Sequence, residues 1–256
     1  MNEKSDMMSG YSVFARYYDE LTANIDYKKR ADYFHLIIQK FKQTENMLLL
    51  DLACGTGSIS EEMAKLGYDV IGVDNSEEML GIAIEKKFDS GLPIQYLCQD
   101  MREIDMFGTI DVTICALDSI NHLPSFDDVK KTFSKISLFA EPDGLFIFDI
   151  NTIHKHLNIL ADNTFTYETD DVFLVWENKL NKSNYDININ LEFFERDGDK
   201  YYRSTENFIE KAYETSDIDN ALIETGFEIL AHYDDDSFNP PNDNSQRIVI
   251  VARKIR

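Results

Sequence analysis

The chain alternates between two hydrophobic rhythms. Over residues 11–43, Tyr17, Leu21, Tyr33, Phe34, Ile37, Ile38 and Phe41 recur at helical spacing, and Asn24–Asp26 divides that stretch into two helices. Short apolar runs then follow at Met47–Ala53, Asp69–Asp74, Ile94–Gln99, Ile110–Ala116 and Leu145–Ile150. Helical stretches separate them, at Ile59–Leu66, Met79–Phe88 and Asp127–Ala140, with Gly67 stopping the first and Ser76 capping the second. Glu141-Pro-Asp-Gly144 reads as a turn. Near-continuous apolar strands alternating with helices predict a parallel sheet covered on both faces, wound in right-handed crossovers.

Beyond about residue 160 the period changes to two. Phe165–Tyr167, Val172–Leu180, Tyr185–Phe194 and Tyr201–Phe208 are β-rich and aromatic, and Ile187, Ile189, Leu191 and Phe193 alternate with Asn188, Asn190, Glu192 and Phe194. Asp197-Gly198 marks a hairpin. Residues 161–212 therefore read as an antiparallel insertion. The α/β rhythm returns with Ile218–Thr225, Phe227–His232 and a last strand, Arg247–Ala252, after a polar loop at Asp234–Ser245. The expected division is one domain from 1–160 and 213–256, interrupted by the insertion, and 256 residues suit one large domain with such an addition.

Composition narrows the function. With 25 basic and 47 acidic residues the net charge is −22, which repels phosphate backbones and anionic membrane surfaces. Neither nucleic acid nor membrane is the expected partner. Acidity suits a cationic or amine ligand, and it also serves solubility alone. Cys54, Cys98 and Cys115 each sit in or beside a run that reads as a buried strand. Their odd number implies reduced thiols, and no Cys or His cluster has zinc spacing. Met1–Gly10 lacks an apolar core and no stretch approaches a membrane span, so the expected location is cytoplasmic.

The chemistry concentrates where strands end. Leu48-Leu-Leu-Asp51-Leu-Ala53-Cys54-Gly55-Thr56-Gly57 takes a buried strand into a glycine turn that opens a helix. Glycines there let a ligand approach the backbone, and ligands of open α/β sheets bind at the carboxyl ends of the strands. A dinucleotide fingerprint would place a third glycine at position 60, which is Ser60. Asp51 also puts negative charge where a pyrophosphate would lie, but suits a ligand carrying an ammonium and a sulfonium. Asp74 ends the second strand about 17 residues past Gly57, near the ~20 expected of a ribose-binding carboxylate.

These residues resemble the first two motifs of the class I S-adenosylmethionine-dependent methyltransferases, in which the first reads acidic-x-Gly-x-Gly-x-Gly. Ala53 replaces the first of those glycines, which implies a modest change in loop geometry. The likeness covers residues 11–153 and 216–254. It implies a doubly wound, seven-stranded mixed α/β sheet with the last strand inserted antiparallel, and methyl transfer to the nitrogen or oxygen of a small molecule. It also implies roles: Asp51, Ala53, Cys54, Gly55 and Gly57 at the methionine end, Asp74, Asn75 and Met79 around the ribose, and Asp100 with Met101 at the adenine. Leu117, Asp118, Ser119, Asn121 and His122 follow strand four, where relatives present groups near the methyl, and His122 is the general-base candidate, with Asp118 beside it. Tyr18 would cover the cofactor and Arg30 would reach its carboxylate.

The resemblance further implies a substrate lid formed by the insertion. Tyr167, Phe173, Trp176, Tyr185, Phe193, Tyr201 and Tyr202 are its aromatic candidates, and Arg203, Glu206 and Tyr213 its polar ones. A monomer or homodimer is expected. Two rival readings remain: a nicotinamide-dependent oxidoreductase, and a non-catalytic cofactor-binding or scaffold protein on the same fold.

Overall fold

The computed structural model describes residues 12–42 and 47–255. Tyr11 and the Met1–Gly10 segment lie outside the described residues, as does position 43. Seven strands form the main sheet: β1 (Leu48–Leu52), β2 (Asp69–Asp74), β3 (Gln95–Cys98), β4 (Ile110–Cys115), β5 (Ala140–Asn151), β10 (Phe227–Asp234) and β11 (Arg247–Lys254). Their order is β10-β11-β5-β4-β1-β2-β3. The first five run parallel, and β11 lies antiparallel between β5 and β10, as expected.

Alternate side chains feed two cores. One face packs Leu49, Val112, Ile147 and Val251 with Phe34, Ile37 and Ile38 of α2 (Tyr27–Phe41) and Met63 of α3 (Ser58–Lys65). The other packs Leu50, Leu52, Phe146 and Phe148 with Phe133 of α5 (Phe126–Phe139) and Leu222 of α7 (Thr215–Glu224). Helix α4 (Glu77–Ser90) starts where Ser76 accepts the Met79 amide and stops at Gly91 in a left-handed conformation. Asp26 accepts the Lys29 amide and starts α2, which separates it from α1 (Ser12–Leu21).

Two expectations change. Glu141–Gly144 is an excursion inside β5: the register with β4 jumps from Ile110↔Ala140 to Val112↔Leu145, with Asp143 at φ 64°. Both flanks of the turn thus stay hydrogen-bonded to the sheet. Cys98 is exposed, because β3 is the sheet edge; Cys115 is buried and Cys54 intermediate.

The second sheet contains β6 (Thr164–Glu168), β7 (Val172–Leu180), β8 (Ile187–Asp197) and β9 (Lys200–Glu210) in that order, all antiparallel. It follows a short helix, α6 (Ile153–Lys155), and a single wide turn at His156–Leu160. Leu174, Ile189, Leu191 and Phe193 on its inner face pack against Val13 and Phe14 of α1 and Met79 of α4. Among the described residues no helix is long and apolar enough to cross a membrane.

Candidate active site

A cavity of about 490 Å³ opens between the carboxyl ends of the parallel strands and the inner face of the second sheet. That size suits a nucleoside-bearing ligand. The glycine turn forms its base. Ala53 takes φ 58°, Gly55 54° and Gly57 76°, so alanine holds a left-handed conformation that glycine would adopt freely. The Gly55 amide donates to Asp74 Oδ2 at 2.8 Å, and the Ser76 amide to Asp74 Oδ1 at 2.9 Å. One carboxylate thereby ties the two strand ends together. Gly57 does not line the cavity; a Cβ there would overlap the Tyr96 phenol, so its contribution is close packing.

Asp74, Asn75, Met79, Asp100 and Met101 line one end of the cavity. The Asp100 carboxylate accepts from Arg102 Nε at 2.9 Å and Nη2 at 2.5 Å. Those hydrogen bonds hold its carboxyl below the usual range despite partial burial. Arg102, two positions past the expected aspartate, also lines the cavity and was not among the candidates from sequence.

A smaller recess of about 50 Å³ adjoins, lined by Asp51, Cys54, Thr56, Ser58 and Tyr27 and sharing Tyr18, Ala53, Gly55, Leu117 and Ser119 with the main cavity. Asp51 is buried and accepts from Ser60 Oγ at 2.5 Å. Above it, Asp19 of α1 accepts from Thr56 Oγ1 at 2.6 Å, and Lys86 bridges Asp19 and Ser58.

The end of β4 is unusual. Leu117 and Asp118 follow each other at φ 57° and 54°, leading into a tight turn at Ser119–His122. Asp118 and His122 both line the cavity, with His122 Nε2 3.8 Å from Asp118 Oδ2. Burial alone would raise the Asp118 carboxyl, but the Arg247 guanidinium, 2.5 Å from Oδ1, and the His122 and Lys155 groups hold it well below its ordinary range. Burial lowers the His122 imidazole, yet the neighbouring Asp118 carboxylate prevails and raises it. His122 Nδ1 is buried without a hydrogen-bond partner among the described residues. An imidazole that lines the cavity beside a paired, ionised carboxylate can receive a proton, and the carboxylate then holds the resulting charge.

The expected placements of Arg30 and Asn121 also change. Arg30 lines neither recess: its guanidinium is engaged by Asp235 at 2.9 Å, Asp236 at 3.4 Å and Asp149 at 3.6 Å. Arg247 at the start of β11 occupies the cavity wall instead; nothing in the sequence marked it. Asn121 is wholly buried away from the cavity, donating to the Lys211 carbonyl and accepting the Asn151 amide.

The insertion contributes Tyr167, Trp176, Ile189, Phe208 and Glu210 to the wall facing His122. Phe208 lies 5.3 Å from the His122 ring. The remaining candidates sit elsewhere. Phe193 is core, Phe173 is half-buried against Phe194, and Tyr185, Tyr201 and Tyr202 are exposed. Arg203 pairs with Glu192 on the surface, Tyr213 donates to the Leu123 carbonyl, and Glu206 accepts the first amides of α1. Among the described residues no cluster could hold a metal ion.

Fold and cavity define a doubly wound α/β protein with a ligand site at its strand ends, and comparison with known proteins specifies the family. The methyltransferase-domain profile matches residues 49–144. Over 245 residues the chain is 31% identical to the methyltransferase-family protein YqeM of Bacillus subtilis (strain 168), spanning 95% of this chain and 97% of that one. An S-adenosylmethionine-dependent methyltransferase from Clostridium acetobutylicum ATCC 824 superposes with TM-score 0.85 at 33% identity, covering 96% and 99% of the two chains. S-adenosylmethionine-bound CalS10, an amino pentose methyltransferase from Micromonospora echinaspora, shares the fold at TM-score 0.73 and 17% identity, over 94% and 96%. The chain belongs to the class I S-adenosylmethionine-dependent methyltransferases. The nicotinamide reading falls with that result.

Proposed function

We propose that the chain methylates a nitrogen or oxygen atom of a small molecule seated between His122 and the insertion sheet. The observation that carries this is the two-sided cavity, with strand ends on one wall and Trp176, Tyr167 and Phe208 on the other. S-adenosylmethionine supplies an electrophilic methyl group on a sulfonium.

The protein's part is orientation, exclusion of water and proton handling. Asp74 can accept from both ribose hydroxyls while retaining its hold on the Gly55 amide. Met79 and Met101 offer apolar surface to the adenine, and Asp100, fixed by Arg102, offers an acceptor to its amino group. Asp51 would hold the ammonium of the methionine end, and the Tyr27 and Ser58 hydroxyls would take the place expected of Arg30 as partners for its carboxylate. Tyr18 closes the site from α1. On the same wall, past the end of β4, His122 takes the acceptor's proton, and Asp118 holds the imidazolium.

Isothermal titration with S-adenosylhomocysteine, followed by a product-release screen of amines, amino acids and nucleotide sugars, tests the reading. Micromolar binding with product from one acceptor class is expected. A folded protein with no binding up to millimolar ligand would sink it.

A further inference from the structure

Leu117 and Asp118 pose a problem of conformation. Both carry side chains at positive φ, a region that aspartate visits more readily than leucine but that residues with a Cβ seldom adopt consecutively. Both line the cavity, together with Ser119 and His122. Something must hold them there.

The holding group is Asp149. It lies on β5, neighbour to β4, and is wholly buried. Its Oδ2 accepts the Leu117 amide at 3.0 Å and its Oδ1 the Asp118 amide at 2.6 Å. Two successive amides thus converge on one carboxylate, the arrangement that a left-handed turn makes possible. A buried charge requires compensation. Arg247 supplies it by a hydrogen bond to Asp149 Oδ1, and Arg30 stands 3.6 Å from Oδ2. Arg247 also reaches Asp118 Oδ1, so the guanidinium that neutralises the holder steadies the side chain beside His122.

We propose that Asp149 is a positioning residue for methyl transfer: its carboxylate holds the Leu117–Asp118 backbone in the left-handed conformation that shapes the cofactor pocket and places Asp118 beneath His122. Asp149 lines neither recess and acts through the loop. The inference rests on the cofactor reading above.

Glycine separates this role from a merely structural one, because it adopts positive φ without a holder. The measurement is S-adenosylhomocysteine affinity by isothermal titration, with folding checked by circular dichroism. Asp149→Asn keeps shape but accepts only one amide, and should bind at least about tenfold more weakly. Leu117→Gly removes a side chain that lines the cavity and so sets its own reference affinity; Asp149→Asn/Leu117→Gly should bind within about threefold of Leu117→Gly. Leu117→Val keeps the apolar surface but is β-branched and resists positive φ; it should lose about tenfold with Asp149 intact. If Asp149→Asn fails to fold, Leu117→Val against Leu117→Gly decides alone.

Normal affinity in folded Asp149→Asn or Leu117→Val overturns the proposal, as does a double variant carrying both losses multiplied. Absence of binding by the unaltered protein would bring down the cofactor reading and this proposal with it. Binding by the unaltered protein with unaffected variants overturns this proposal only.

Discussion

Asp51 shows how a single residue couples the site to pH. Burial pushes its carboxyl up to about 7, the Ser60 hydrogen bond opposes that rise, and the Asp74 charge adds to it. The folded value lies above the ordinary 3.8, so the folded state binds the extra proton between those limits. This group's contribution to stability therefore falls as pH rises from about 4 toward 7. An ammonium seated beside Asp51 reverses the preference and favours the carboxylate. S-adenosylhomocysteine should then bind more tightly at pH 8 than at pH 6, with proton release seen as buffer-dependent heat. A flat profile would detach Asp51 from the methionine end. That Asp51, Gly55 and Asp74 converge was legible in the sequence, because each follows an apolar run that must be a strand and strand ends of one parallel sheet meet. Arg247 was not legible. It opens its strand with no motif around it, and its partners, Asp118 and Asp149, become neighbours only when β11 inserts beside β5.

At the scale of elements, α1 joins what the sheets leave apart. Glu206 of β9 accepts the Val13 amide at 2.8 Å and the Phe14 amide at 3.0 Å, which caps the helix from the insertion. Farther along, Tyr18 enters the cavity and Asp19 grips Thr56. The helix was readable from its amphipathic spacing, but a cap supplied from across the fold leaves no trace in local sequence. Glu206→Ala removes about 1–2 kcal/mol of capping. Amide exchange across Val13–Leu21 should quicken about tenfold or more, with α2 unchanged. Equal exchange in both proteins would show that apolar packing on Phe193 holds α1 without the cap.

Across the whole molecule, the two sheets divide the work of one cavity. The β–α rhythm announced the parallel sheet and the two-residue alternation announced the insertion, since both periods are local. Where the insertion docks depends on contacts between Phe14, Phe193 and Phe208, distant in sequence. Trp176→Ala should raise KM for the acceptor several-fold and leave S-adenosylhomocysteine affinity within about twofold. Matching losses in both would mean that the wall serves the cofactor as well.

Asn121 gives that division a further meaning. Its side chain bonds the chain where it leaves the main sheet, at the Asn151 amide, and where it returns, at the Lys211 carbonyl; its own carbonyl accepts the Lys211 amide at 2.7 Å. The excursion from 151 to 211 therefore begins and ends at one stapled point, and the glycine turn, Asp74 and Asp100 all precede it. A segment anchored so leaves and rejoins the main sheet at neighbouring positions, the geometry that exchange of the whole stretch requires. Transplanting the corresponding stretch of a relative between these two positions would give this methyl donor site a different clientele.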